Sequence, residues 1–249
     1  MNARVAGLIT ILAAGVLAPA STTLAAGPSM GPFKPADWAS LAQRPDLSGV
    51  WENVGAPLNA NSAAKTPAAA EKLAKYRAAT AAGQIQNVES ANCIPPGIPI
   101  NMAMPYPIEL LITPGKVTMI MEAFTQVRHI YTDGRALPED PDPTYNGTSI
   151  GHWEGDALVA ETIGFLPETE IAWGLGHSDK LKIVERMRLA DPDKLEIQFT
   201  ITDPAVLTAP WVVKINYKRR RTWGIREYVC AQNNRHNFEA SGKTTLDLN

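Results

Sequence analysis

An all-β, mainly antiparallel fold, closed as an up-and-down barrel with one peripheral helix, is what this 249-residue sequence predicts, and three observations carry the prediction. Ten short runs, at 48–54, 108–113, 116–122, 126–132, 148–154, 157–163, 181–189, 194–202, 211–219 and 226–230, often alternate apolar and polar residues and end at turn residues. The turns are explicit: Thr113-Pro114-Gly115, Asp133-Gly134, Glu154-Gly155-Asp156 and Asp191-Pro192-Asp193. Finally, 20 Pro and 18 Gly favour turns over long helices. Consecutive hairpins make a meander that can close and remove its own edges, which favours a barrel over a sandwich.

The remaining elements follow in chain order. Residues 1–26 read as a signal peptide: Arg4 is a basic start, Val5 to Ala18 form an apolar stretch, and Thr23-Leu24-Ala25-Ala26 supplies small residues for cleavage near Ala25 or Ala26. That apolar stretch is shorter than the about 20 residues a bilayer span needs. Residues 27–47 bear Pro and Gly without periodicity and read as an extended leader, ahead of one domain over 48–249. Thr66-Pro67 is an N-cap residue followed by Pro at the first helical position, and Gly83 stands where a C-cap belongs, so a helix is expected near 67–82. Its Ala content and its Leu73/Tyr76 pair place it on the outside of the strands.

Composition excludes several classes. With 45% hydrophobic and 19% charged residues, and 23 Lys+Arg against 25 Asp+Glu, the chain is neither a disordered tail nor a polybasic nucleic-acid binder. No later segment is a continuous apolar span, so stable membrane insertion after signal cleavage is not expected. Export to the periplasm or beyond would place Cys93 and Cys230 in an oxidising compartment, where a disulfide between them is expected. Neither cysteine has a histidine within four residues and there is no Cys-x-x-Cys, which argues against a catalytic thiol.

Asp46-Leu47-Ser48-Gly49-Val50-Trp51 resembles the Gly-x-Trp opening of calycin barrels, the lipocalin-like group, which implies a Trp plugging the closed end of a calycin-like barrel. The block Ile130-Tyr131-Thr132-Asp133-Gly134-Arg135, followed by Ser149-Ile150-Gly151-His152-Trp153-Glu154-Gly155-Asp156 and His177-Ser178-Asp179, is similar to a family of exported bacterial proteins of unassigned activity. Pro105-Tyr106-Pro107 and Glu227-Tyr228-Val229-Cys230 extend that resemblance over about residues 93–230. It implies a bacterial periplasmic setting and supplies no catalytic residues.

Candidate chemistry comes from polar residues on apolar faces, because side chains alternate along a strand. In Leu181, Ile183, Glu185, Met187, Leu189, one carboxylate interrupts four apolar residues, so Glu185 is expected inside. The same test on Ala157, Val159, Glu161, Ile163 places Glu161 inside, although the opposite face is not polar. In Val127, His129, Tyr131 an imidazole and a phenol share a face with Val, and Arg128 points away. His129, Tyr131, Glu161 and Glu185 would then line one cavity, with Glu185 and His129 exchanging a proton and Tyr131 and Glu161 orienting a substrate. A competing reading pairs these groups with Arg128, Arg186 or Arg188 in a network without catalysis. Trp173 and His177, in a Gly-flexed loop, would cover the mouth.

Other motifs fail on context. Gly147-Thr148-Ser149-Ile150-Gly151 matches a nucleophile elbow but is followed by another strand instead of a helix. Asn146-Gly147-Thr148 is a glycosylation sequon, relevant only in a eukaryotic secretory route. The four histidines show no metal-ligand spacing, and no phosphate-binding glycine loop follows a strand, so no metal or other cofactor is expected. Two functions remain: a cofactor-independent acid/base enzyme of the lyase, hydratase or isomerase type acting on a small apolar or aromatic molecule, or a non-catalytic carrier of such a molecule.

Overall fold

The computed structural model describes residues 32–55, 58–84, 93–230, 236–238 and 244–246. The signal-like segment lies outside the described residues. The strands are β1 (Gly49–Asn53), β2 (Ile108–Thr113), β3 (Lys116–Met121), β4 (Gln126–Tyr131), β5 (Thr148–Glu154), β6 (Ala157–Ile163), β7 (Glu170–Ala172), β8 (Leu175–Gly176), β9 (Lys182–Asp191), β10 (Lys194–Thr202), β11 (Trp211–Arg219), β12 (His236–Phe238) and β13 (Thr244–Leu246). Helices are α1 (Pro35–Leu41), α2 (Pro67–Ala81) and α3 (Ile100–Ala103). Nine of the described strands form a closed barrel in the order β1-β11-β10-β9-β6-β5-β4-β3-β2, a mainly antiparallel wall with a peripheral helix.

Closure joins the first wall strand to the last: Trp51 faces Arg219 and Asn53 faces Tyr217 across the antiparallel β1–β11 pair. The wall departs from a pure meander at one seam. β4 and β5 run parallel, with Ile130 opposite Ser149 and Tyr131 opposite Ile150. The connection 132–147, stiffened by Pro138, Pro141 and Pro143, returns the chain to the start of β4 before β5 begins, so the two strands share a direction. Gly147, at φ +64°, ends that return, and a Cβ there would stand 2.7 Å from the Ile163 carbonyl oxygen.

Both ends of the barrel are closed. At one, Trp51 is fully buried, its Nε1 donates to the Leu47 carbonyl at 2.9 Å, and the Arg219 guanidinium lies 4.2 Å from its ring centre. At the other, α2 packs against β8 and adds its buried Ala69 and Leu73 to the common core. The helix starts as its sequence dictates, with the Thr66 hydroxyl accepting from the Ala69 amide and Pro67 at the first turn. Thr66 also donates its amide to the Val206 carbonyl at 2.9 Å, tying the helix to the β10–β11 loop.

The structure corrects three sequence-based expectations about elements. Within the segment read as an extended leader stands α1, started by Pro35 and by the Asp37 side chain accepting from the Lys34 amide. Residues 226–230 are not a strand but a strap: the Arg226 amide donates to Glu122, the Thr125 hydroxyl donates to the Tyr228 carbonyl, and Tyr228 packs on Tyr106 and Phe124. The third is the barrel's interior, expected to hold an open cavity. Helix α3 enters it instead: Met102 has no exposed surface, its carbonyl accepts from the Tyr217 hydroxyl at 2.5 Å, and the Asn53 side chain donates to Ala103.

Cys93 and Cys230 are bonded, with their Cα atoms 5.6 Å apart, so the strap is tied to the segment that leads into α3. The bridge closes a 137-residue separation. Cys230→Ser should therefore lower stability by about 2–5 kcal/mol, read as a drop in Tm. Mass spectrometry of the unreduced protein should show a Cys93–Cys230 linked peptide, and two freely alkylated thiols would overturn the assignment.

Candidate functional site

Among the described residues, the barrel interior carries one charged pair. Glu185 on β9 and Arg128 on β4 are both buried, and their side chains meet in a two-point ion pair, NH1 to Oε1 at 3.0 Å and NH2 to Oε2. The other guanidinium protons are also placed: Nε donates to Ser149 at 3.1 Å, NH2 to the Thr162 hydroxyl at 2.8 Å, and NH1 reaches Met102 Sδ at 3.8 Å. Ser149 and Thr162 share a further bond of 3.0 Å. Such saturation is what a buried charge requires, since an unanswered donor there costs its full desolvation. Burial, then the Glu185 charge, pushes the Tyr217 phenol well above its ordinary range, which keeps it the donor to Met102.

Glu185 thus lies where strand alternation puts it, but His129, Tyr131 and Glu161 do not join it. On β4 it is Arg128 and Ile130 that point inward; Val127 is half exposed, and His129 lies on the outer face with its Nδ1 3.2 Å from the Thr118 hydroxyl. Val127 was the misleading residue, for the inward charge that made its face look like the core is neutralised from β9. Glu161 also faces out, paired with Lys182 at 2.6 Å, while Leu158, Ala160 and Thr162 form the inner face of β6. His129 and Glu185 stand on opposite sides of the wall. Direct proton exchange between them has no path in this geometry.

Trp173 and His177 belong to the β7–β8 hairpin and its exit. The turn at Gly174 lies directly on Tyr76 of α2, so close that a Cβ at Gly174 would stand 2.3 Å from the ring. The His177 ring is held at both nitrogens, Nδ1 against the Ser178 carbonyl at 2.8 Å and Nε2 against the Thr169 hydroxyl at 2.7 Å and the Leu166 carbonyl at 3.1 Å. Its neighbour Ser178 is bound through amide and hydroxyl to buried Asp203. These contacts fasten the hairpin to the body and give His177 a positioning role in place of a cover over an open mouth, and Trp173 stands half-buried in the β7–β8 turn. Ser149, centre of the nucleophile-elbow match, is buried on a strand beside Arg128, as its context foretold.

A different feature offers a site. Below the Ile130–Ser149 pair, β4 and the approach to β5 part, leaving a recess of about 370 Å³ in the outer wall. His129, Tyr131 and Tyr145 supply rings, Gln126, Asn146 and Thr148 supply polar groups, and Arg128 with Ser149 forms the floor. The Asn146 side chain bridges the gap, donating to Gln126 Oε1 at 3.2 Å, while its own Oδ1 is buried and has no hydrogen-bond partner. Burial, then the Lys116 charge, lowers the His129 pKa from 6.5, so the imidazole is neutral at pH 7. Arg135 covers one face of Tyr131 at 3.7 Å and is itself paired with Asp133.

His129 and Tyr131, chosen from the sequence for an interior cavity, therefore meet at an exterior one. Asn146 and Tyr145 were missed, because nothing in a Tyr-Asn-Gly turn distinguishes a site residue from an ordinary loop. The sequon was the one signal at Asn146, and its asparagine is only 8% exposed.

No protein-family model and no curated protein matches the chain. Among solved structures, the wild-type fluorescent protein UnaG is similar over 70% of this chain and 97% of its own, with 14% identity and a TM-score of 0.34. The barrel assignment rests on the strand pairing of this chain, independent of that likeness.

Proposed function

We propose that this chain is an exported, non-catalytic binding protein for a small aromatic molecule, seated in the recess between β4 and β5. The single observation that carries the reading is a recess of about 370 Å³ in which three rings, His129, Tyr131 and Tyr145, stand beside the polar side chains of Gln126, Asn146 and Thr148. Rings supply stacking area for a planar ligand, and polar side chains supply orientation, the usual division of labour in a small-molecule site. Glu185, the best acid in the sequence, is committed to Arg128, which removes the main support for an acid/base enzyme. Export to the periplasm or outside the cell belongs to the same proposal, and the signal-like residues 1–26, the resemblance to exported bacterial proteins and the disulfide support it.

Titration of the ¹⁵N-labelled protein with p-cresol tests the reading. Saturable amide shifts confined to residues 126–131 and 144–149 are expected, with the p-cresol recovered unchanged. Tyr131→Ala should weaken binding roughly 2- to 12-fold by loss of one ring contact. Shifts scattered over the surface without saturation, or conversion of the probe, would overturn the proposal.

A further inference from the structure

We infer that the recess selects an aromatic carboxylate over a neutral or cationic aromatic molecule, with Lys116 supplying the charge that makes the choice. This rests on the binding reading above and names its ligand class.

Three rings around a recess suit two opposite kinds of ligand: a cation lying on ring faces, or a flat molecule stacked against them. The charges nearby decide between the two. None of the residues lining the recess is acidic, and the Asp133 carboxylate beyond it is held by Arg135 through Nε at 2.9 Å and NH2 at 2.6 Å. The Arg135 guanidinium also lies 3.7 Å from the centre of the Tyr131 ring, so one face of that ring already carries a cation. A second cation on the same ring would meet the repulsion of the first. Glu139, Asp140 and Asp142, in the connection from β4 to β5, are exposed to water and line no part of the recess.

The positive charges are not all answered in this way. Arg128, in the floor, is neutralised by Glu185, and Arg135 by Asp133. Lys116 remains, for among the described residues it has no ion pair. It stands directly across the β3–β4 register from Tyr131, as Thr118 does from His129, so the four side chains share the outer face of the wall, with facing Cβ atoms about 5 Å apart. Its charge reaches the imidazole: burial first, and Lys116 second, lower the His129 pKa from 6.5. The potential on this side of β4 is therefore positive, and a carboxylate beside His129 and Tyr131 would answer it. The Thr118 hydroxyl, 3.2 Å from Nδ1, can donate to that nitrogen, which puts the proton of the neutral ring on Nε2 and gives a carboxylate oxygen a second donor. The rings of Tyr131 and Tyr145 are left for the aromatic part of the ligand.

Three probes that share one ring isolate the charge: 4-methylbenzoate, p-cresol and 4-methylbenzylammonium. Each is titrated into the ¹⁵N-labelled full chain at pH 7 and low salt, and the amides of residues 126–131 and 144–149 are followed. 4-Methylbenzoate should bind about 3- to 5-fold tighter than p-cresol, the reach of one partly screened ion pair, and 4-methylbenzylammonium should bind weakest. Lys116→Gln should bring 4-methylbenzoate and p-cresol within about 1.5-fold of each other, and Lys116→Glu should make 4-methylbenzylammonium the tightest of the three. Sodium chloride at about 0.5 M should erase most of the carboxylate preference of the wild type. The variants' own spectra show whether they fold, and the wild-type order and its salt dependence decide if they do not. Binding of 4-methylbenzoate no tighter than p-cresol by the wild type overturns this inference and leaves the binding reading standing, as does a carboxylate preference that survives Lys116→Gln or high salt. Absence of saturable binding by all three probes overturns both.

Discussion

Arg128→Met should cost about 3–5 kcal/mol of stability, because it strands the Glu185 carboxylate in the barrel interior without its partner. Glu185→Leu should cost a similar amount from the other side, because it strands the Arg128 guanidinium. The companion expectation separates this from ordinary core damage. Arg128→Met combined with Glu185→Leu removes both charges at once and should recover most of the loss, ending close to the wild type or above it. Urea unfolding of the four proteins, read as a double-mutant cycle, should give a coupling of at least about 2 kcal/mol. Ser149 and Thr162 are bonded to each other at 3.0 Å and should stay so in the variants. A single-variant loss under about 1 kcal/mol would mean that water reaches the pair and that the interior is not sealed.

Trp51→Ala is the second large effect, expected at about 3–5 kcal/mol for emptying a fully buried site of that size. Its ring carries the closed end: Leu47 is held through Nε1, and Arg219 lies on its face while bonding the Ser48 and Asp46 carbonyls. Trp51→Phe should be milder, about 1–3 kcal/mol, since it keeps a ring under Arg219 but leaves the buried Leu47 carbonyl unanswered. Both values come from denaturant midpoints at unchanged slope. If Trp51→Ala proved nearly neutral, that end of the barrel would be able to collapse around the missing ring, and the plug description would fail.

The wall was legible in the sequence, and the site largely was not, for physical reasons that differ by residue. Nine wall strands could be read because each is short, bounded by turn residues and apolar on one side. Glu185 was readable for the same reason, with four apolar neighbours fixing its face. The faces of β4 and β6 were not. Arg128 is an inward charge whose counter-charge lies 57 residues away, and Val127 and Val159 are apolar on the outer side. The parallel β4–β5 pair escaped because strand direction depends on the path of residues 132–147, which periodicity does not encode. Helix α3 escaped because Ile100–Ala103 is a single apolar turn, too short to show a period. The recess is a consequence of that parallel seam, so its position was hidden along with it.

The β1–β11 closure also constrains how the chain is made. Residue 51 cannot find its partner until residue 219 has been synthesised, and the loop that must close between them is most of the protein. Pairing at that separation is entropically slow compared with the β2–β3 and β9–β10 hairpins, whose turns are local. A growing chain would therefore hold hairpins but no finished barrel, with β1 and its Trp exposed, until its last wall strand emerges. Late completion of this kind makes truncation before Arg219 a route to aggregation in place of a smaller stable domain.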